Sequence, residues 1–155
     1  MAKTLQEEIK QTKPFTSLEV EAYLNIFRTE SALSLEVTAL FKSHGITQTL
    51  YNLLRIIRGG PEEGVPCSNI SERLVARVPD VTRLVDRAVC QELVVRNRPA
   101  SDRRVVLLTL TPKGLALLDT MAEPLDTLHR QQMAALSEDE LHNLIAILTK
   151  LRAVK

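Results

Sequence analysis

Arginine side chains are concentrated in the middle of this 155-residue chain, and their type and spacing suit them to bind anions. Residues 66–114 contain nine basic and five acidic side chains, a segment charge of +4, and eight of the nine are arginine. Residues 1–65 carry −1 and residues 115–155 carry −2. Because the guanidinium fork matches phosphate groups and guanine edges, this basic segment is a candidate nucleic-acid interface; an ordinary solvated surface is the alternative.

The aromatic residues indicate which kind of nucleic acid the basic segment would bind. All five precede residue 52, so the basic segment contains none. Single-stranded nucleic acids are usually bound by stacking their bases on aromatic side chains. A nucleic-acid ligand of this segment is therefore predicted to be a duplex.

Metal and enzyme chemistry find little support in the sequence. Cys67 and Cys90 are too few for a disulfide scaffold and have no zinc-ligand spacing, and His44, His129 and His142 are scattered. The chain has no nucleophile elbow and no glycine-rich phosphate loop, so we expect neither an enzyme, a metal nor a cofactor. The two cysteines are interpreted as inert, with a redox-sensing thiol as the alternative.

Composition and length indicate an ordinary globular protein. The chain is 45% hydrophobic and 25% charged, which is typical of a folded domain with a buried core. It has no run of 18 apolar residues, so no membrane partner is expected. The first eight residues lack a hydrophobic signal core, which predicts a cytoplasmic protein.

Hydrophobic periodicity and capping residues predict mostly helices. The first four helices are expected over 4–11, 17–43, 48–58 and 68–76, and a fifth is expected from Pro79 onward. Gly45 and Thr47 are expected to end one helix and cap the next, and residues 59–66 should form a loop. Two strands, 93–98 and 105–110, should form a hairpin with a basic loop. Thr111 should cap a sixth helix, and a Ser137–Glu140 capping box should open a seventh.

This order of elements predicts a winged helix-turn-helix, mainly α with a small antiparallel β-hairpin wing. In that fold the second short helix lies in the major groove, and the hairpin reaches the adjacent backbone or minor groove. The side chains that this helix would present are Thr82, Arg83 and Arg87.

Two stretches of the chain resemble the multiple-antibiotic-resistance regulator (MarR) family. Asp102-Arg103-Arg104, the strand after it and Leu110-Thr111-Pro112-Lys113-Gly114 are similar to the wing signature, D-x-R, a short strand and L-T-x-x-G. Val81-Thr82-Arg83-Leu84-Val85-Asp86-Arg87 is similar to the recognition-helix text, and Arg77-Val78-Pro79-Asp80 resembles one subgroup's turn. The resemblance covers roughly residues 15–150.

One residue departs from the family pattern. Glu92 stands near the end of the recognition helix, where the family commonly has glycine. This predicts either a left-handed backbone at Glu92 or a turn that is built differently.

The resemblance implies a ligand-responsive regulator, interpreted as a repressor, that binds a pseudo-palindromic duplex as a homodimer with its wing in the minor groove. It implies dimerisation through residues 1–45 and 115–155 and DNA binding through 46–114. The predicted DNA-binding residues are Arg77, Thr82, Arg83, Arg87, Arg98, Asp102, Arg103 and Arg104.

Two finer expectations concern the wing and an effector. Asp102 and Arg104 are two residues apart, which predicts that the carboxylate contacts and orients the guanidinium. The alternative is an exposed pair that has no role in binding. The resemblance also implies a small, mostly apolar or aromatic effector between the dimerisation helices and the winged domain. The residues themselves offer only apolar lining such as Ile26, Leu53, Leu54 and Ile57, which a plain core would also contain.

The main alternative is a winged domain that binds another protein. The salt dependence of duplex binding separates the two hypotheses, because affinity that rests on phosphate contacts falls steeply with salt. The sequence leaves open the operator, the effector and whether binding represses or activates.

Overall fold

A computed structural model of the chain describes residues 3–99, 102 and 104–153. The chain divides into two compact units, Met1–Val37 and Thr38–Lys155. The first unit contains helix α1 (Leu5–Glu8) and most of helix α2 (Leu18–Ser43). Helix α1 is shorter than the predicted 4–11, because Lys10 has a φ of 54°. That left-handed backbone cannot continue a right-handed helix.

Helix α3 (Gln48–Arg58) has the predicted bounds and caps. Gly45, with a φ of 70°, lies between the end of α2 and this helix. The Thr47 hydroxyl accepts a hydrogen bond from the Leu50 backbone N–H at 3.2 Å. Six α3 side chains are buried and form the centre of the second unit's core: Leu50, Tyr51, Leu53, Leu54, Ile56 and Ile57.

The two short helices differ from their predicted bounds. A 3-10 turn (Cys67–Asn69) leads into helix α4 (Ile70–Arg73), which ends earlier than the predicted residue 76 because Leu74 is extended, with a ψ of 132°. Helix α5 (Val81–Cys90) begins after Asp80, so the prediction that Pro79 is its first residue is wrong. The physical reason is the Asp80 side chain, whose Oδ1 accepts from the Arg83 N–H at 3.0 Å and makes Asp80 the N-cap.

The wing belongs to a three-stranded antiparallel sheet. Strands β1 (Val65–Pro66), β2 (Val94–Asn97) and β3 (Leu107–Leu110) lie in the order β1-β3-β2. The hairpin of β2 and β3 was predicted with longer strands, whereas β1 falls in a segment predicted to be a loop. Val65 pairs with Leu108. Gly64 precedes β1 with a φ of 117°, and a Cβ there would stand 3.0 Å from the Leu108 carbonyl oxygen.

Helices α6 (Pro112–Met133) and α7 (Glu138–Arg152) start at their predicted caps. The Thr111 hydroxyl accepts from the Gly114 N–H at 3.0 Å. The Ser137–Glu140 capping box is present, and hydrogen bonds from the Ser137 backbone N–H and hydroxyl lower the pKa of Glu140. None of the helices in the described ranges combines the length and apolarity that a membrane crossing requires.

Candidate nucleic-acid interface

Helix α5 presents polar side chains on one face and packs through the other. Thr82, Arg83 and Arg87 are exposed, whereas Val85 and Ala88 are fully buried. An α-helix fits the width of the major groove, and the exposed face supplies arginine forks that match base and phosphate acceptors. The three α5 side chains predicted from the sequence are therefore free to contact a ligand.

The turn before α5 carries Arg77, which is exposed. The backbone of this turn is anchored to α3 at Val75, whose N–H donates to Asn52 Oδ1 at 2.9 Å. The anchor fixes the position of this turn against the core helix. Arg77 therefore projects from a held segment at the N-terminal end of α5.

The segment between β2 and β3 carries the other predicted side chains. Arg98, Asp102 and Arg104 are exposed, and Arg103 lies outside the described residues. Asp102 Oδ1 accepts from the backbone N–H of Arg104 at 2.9 Å, and the ion pairs of the described ranges do not join these two side chains. The expected contact with the guanidinium is thus replaced by an Asx turn, in which the carboxylate shapes the loop.

Glu92 connects α5, the wing and α6. Its φ of 60° confirms the predicted left-handed backbone. The Thr111 hydroxyl donates to the Glu92 carbonyl at 2.6 Å, and Lys113 Nζ lies 3.2 Å from Glu92 Oε2. The bend from α5 into β2 is therefore tied to the first turn of α6.

An ion pair that the sequence did not predict joins α5 to β2. Arg96 Nη2 donates to Asp86 Oδ1 at 2.6 Å, with side chains 35% and 55% exposed. The residues are ten apart, and no helical or strand spacing relates them. Only the packing of α5 against β2 brings them together, so the sequence alone contained no usable signal.

The described part of the chain shows no cluster of three or more His, Cys, Asp or Glu side chains that could hold a metal. Cys67 is partly exposed, Cys90 is exposed, and neither forms a disulfide. Their interpretation as inert thiols stays a prediction.

The expected effector lining is mostly core. Leu53 and Leu54 are completely buried and Ile57 is 5% exposed, which agrees with the alternative that they belong to the core. Their side chains are packed inside the second unit as ordinary core residues. Ile26, by contrast, is 42% exposed.

A cavity of about 520 Å³ does lie in the second unit, at the corner where α2 ends and α3 begins. Phe41 and Ile46, both buried, provide apolar lining. Lys42 from α2 and Arg87 from α5 are the two cationic residues of the lining. The cavity therefore combines apolar surface with positive charge, and one of its residues belongs to α5.

The chain is similar to known proteins in both sequence and structure. No family model matches the chain. A MarR transcription factor from Planctomyces limnophilus, of known crystal structure, is 38% identical over 88% of this chain and 98% of that chain, with a TM-score of 0.67. The S. aureus MepR–DNA complex matches 86% of this chain and 98% of that chain at 23% identity, with a TM-score of 0.76. This second likeness concerns the fold.

One protein that is similar in sequence is a repressor. The homoprotocatechuate degradative operon repressor of Escherichia coli is 24% identical over 115 residues, which cover 74% of this chain and 76% of that protein. These matches extend well beyond the stretches around α5 and the wing.

Proposed function

This chain belongs to the MarR family of winged helix-turn-helix transcriptional regulators, and from that membership we propose that it binds a pseudo-palindromic duplex operator as a homodimer. The observation that carries the proposal is the 38% identity to a MarR transcription factor across 98% of that protein. In the proposed complex α5 lies in the major groove and the wing in the minor groove. The proposed contacting residues are Arg77, Thr82, Arg83, Arg87, Arg98, Arg103 and Arg104, and Asp102 contributes by shaping the loop that carries Arg104.

Repression is the proposed direction of regulation. The E. coli relative is a repressor of a degradative operon, and S. aureus MepR shares the fold in its complex with DNA. A homodimer that covers two adjacent major grooves would exclude other proteins from the same duplex. The proposal of repression rests on the E. coli relative, and the MepR complex supports the fold that would bind DNA.

The wing supplies the first test of DNA binding. We expect Arg104→Ala to weaken duplex binding by roughly 1–3 kcal/mol and to lower the slope of log affinity against log salt by about one. The physical reason is that an exposed arginine on the β2–β3 segment neutralises one phosphate and releases its counterion. The measurement is a duplex titration at several salt concentrations.

Arg130→Ala is the matched control for the wing variant. It removes the same charge from the surface of α6, where Arg130 pairs with Asp126, and should leave the salt slope unchanged. A wild-type protein whose affinity for random duplex does not depend on salt would favour the alternative of a winged domain that binds protein. Equal slopes for wild type and Arg104→Ala would remove the wing from the interface.

Exposed apolar side chains on helices near both ends of the chain support the homodimer. On α2, Leu18, Tyr23 and Phe27 are 62–77% exposed, and on α7, Ile145 and Ile147 are 61% and 65% exposed. Large apolar surfaces of this kind usually mark an interaction site. Residues 1–45 and 115–155 are accordingly assigned to dimerisation and 46–114 to DNA binding.

The dimer gives a direct prediction of mass and operator symmetry. Sedimentation equilibrium at micromolar concentration should return about twice the 17.4 kDa of the chain. Ile145→Asp should shift the protein towards monomer, whereas Val75→Asp, at a side chain 88% exposed in the turn before α5, should not. Selected operators should have half-sites roughly 10 bp apart, one helical turn. A wild-type monomer, or a selected site without two-fold symmetry, would contradict the homodimer.

A small-molecule effector completes the proposal. The cavity at the α2–α3 corner supports it, because Phe41 and Ile46 offer apolar surface to an apolar or aromatic molecule. Arg87 belongs both to this lining and to the exposed face of α5, so a molecule in the cavity would contact the recognition helix. Such a molecule would be detected because its addition changes the affinity that the duplex titration measures.

A further inference from the structure

Asp86 occupies an unusual place for an acidic residue. It is the only carboxylate of α5, and it is exposed on the same face as Arg83 and Cys90, at helical spacings of three and four, with Arg87 next to it in the sequence. The proposed function directs this face into the major groove, and the inference below rests on that proposal. A carboxylate there approaches the phosphate backbone, which disfavours binding unless the carboxylate meets a hydrogen-bond donor.

Arg96 leaves half of this carboxylate available. The Arg96 guanidinium donates to Oδ1 at 2.6 Å, and among the described residues Oδ2 accepts no hydrogen bond. The Asp86 side chain is 55% exposed, so the carboxylate can accept a further hydrogen bond from a ligand. A short charge-assisted bond from the neighbouring strand restricts the rotamer of the aspartate, which presents Oδ2 as an oriented acceptor.

We propose that Asp86 is a specificity-determining residue that reads a cytosine in each half-site, with Arg96 as its positioning residue. In the major groove, cytosine offers the N4 amino donor with no acceptor of the same base beside it. Adenine also offers an amino group, but its N7 acceptor lies next to it and repels a carboxylate, while guanine and thymine present acceptors. An oriented aspartate with one available oxygen therefore discriminates in favour of cytosine.

The test compares operators selected from random duplexes by wild type and by Asp86→Asn. We expect wild type to enrich a cytosine at one position of each half-site and Asp86→Asn to lower that enrichment at least tenfold. Adenine should gain at the same position, because an asparagine amide pairs with both N6 and N7 of adenine. Preferences at the other positions should stay unchanged.

Substitutions of Arg96 test the positioning role. Arg96→Gln should lower the cytosine preference while the other preferences remain, and Arg96→Lys, which keeps a donor and a charge, should restore part of it. Thermal unfolding of all variants provides the structural control. If the Asp86–Arg96 pair only supports the fold, the Arg96 substitutions will lower the melting temperature and weaken binding to all sequences alike. That result would overturn the assignment.

The outcomes distinguish this inference from the proposal on which it rests. A wild-type protein that selects no duplex contradicts the proposed function itself. A clear operator that Asp86→Asn leaves unchanged, or one without a cytosine in its half-sites, contradicts only the role of Asp86.

Discussion

Replacing Gly114 with alanine is expected to lower the free energy of unfolding by roughly 1–3 kcal/mol or more, the cost of forcing atoms into a filled site. Gly114 lies in the first turn of α6, and an added Cβ would stand 2.3 Å from the backbone oxygen of Leu93. That peptide cannot shift freely, because Leu93 N–H donates to Ala88 O at 3.0 Å and Leu93 O accepts from Thr111 N–H at 3.1 Å.

The measurement is thermal unfolding at one fixed protein concentration, since an associating protein has a concentration-dependent melting temperature. For a chain of this length, each kcal/mol corresponds to about 2–4 °C. Gly59→Ala is the matched control: its Cβ would lie 3.5 Å from the Arg55 oxygen, an ordinary contact, so stability should be unchanged or slightly higher. Equal melting temperatures for Gly114→Ala and wild type would show that the α5–β2 connection is more deformable than its hydrogen bonds indicate.

Arg83→Ala should weaken operator binding by roughly 1–3 kcal/mol, about 5–150-fold, and relax the sequence preference at one position of each half-site. Arg83 is exposed in the first turn of α5, the end of a recognition helix that contacts base edges. The substitution should leave the helix intact, because the Asp80 cap uses the backbone N–H of Arg83. Affinity and selected consensus are measured together.

Two further variants separate base reading from charge. Arg83→Lys retains the charge but lacks the two-donor fork. Compared with Arg83→Ala, it should therefore restore affinity for random duplex more than it restores the selected consensus. Arg130→Ala, with the same change in net charge as Arg83→Ala, should alter neither. A consensus that Arg83→Ala leaves intact would assign Arg83 to phosphate rather than to base contact.

Helix caps were predictable from the sequence because their physics is local. Thr47, Thr111 and Ser137 each accept a hydrogen bond from a backbone N–H three residues later. The left-handed backbone of Glu92 could also be anticipated, because the resemblance placed glycine there. In each case the signal and the structure lie within a few residues of one another.

Features that depend on distant parts of the chain were missed or displaced. Strand β1 has two residues, too few for a periodic pattern, and exists because β3 supplies a partner to Val65 and Pro66. The Asp86–Arg96 pair requires α5 and β2 to pack before it can form. The start of α5 was misplaced because Pro79 and Asp80 are both favoured near helix starts, and the Asp80 hydrogen bond decided between them.

The strand order β1-β3-β2 has a consequence for how the protein behaves at high concentration. Residues 105–110 form an uncharged, mostly apolar, β-favouring hexamer of the kind that pairs with strands of other molecules and starts aggregation. Its strand β3 is the central one: β2 pairs with all four of its residues, and β1 pairs with Leu107 and Leu108 on the other edge. The outer strands are poor templates: β1 has only two residues and includes Pro66, and β2 has four and includes Arg96. The segment that is most prone to aggregate is therefore covered on both sides by strands that are poor partners for other chains.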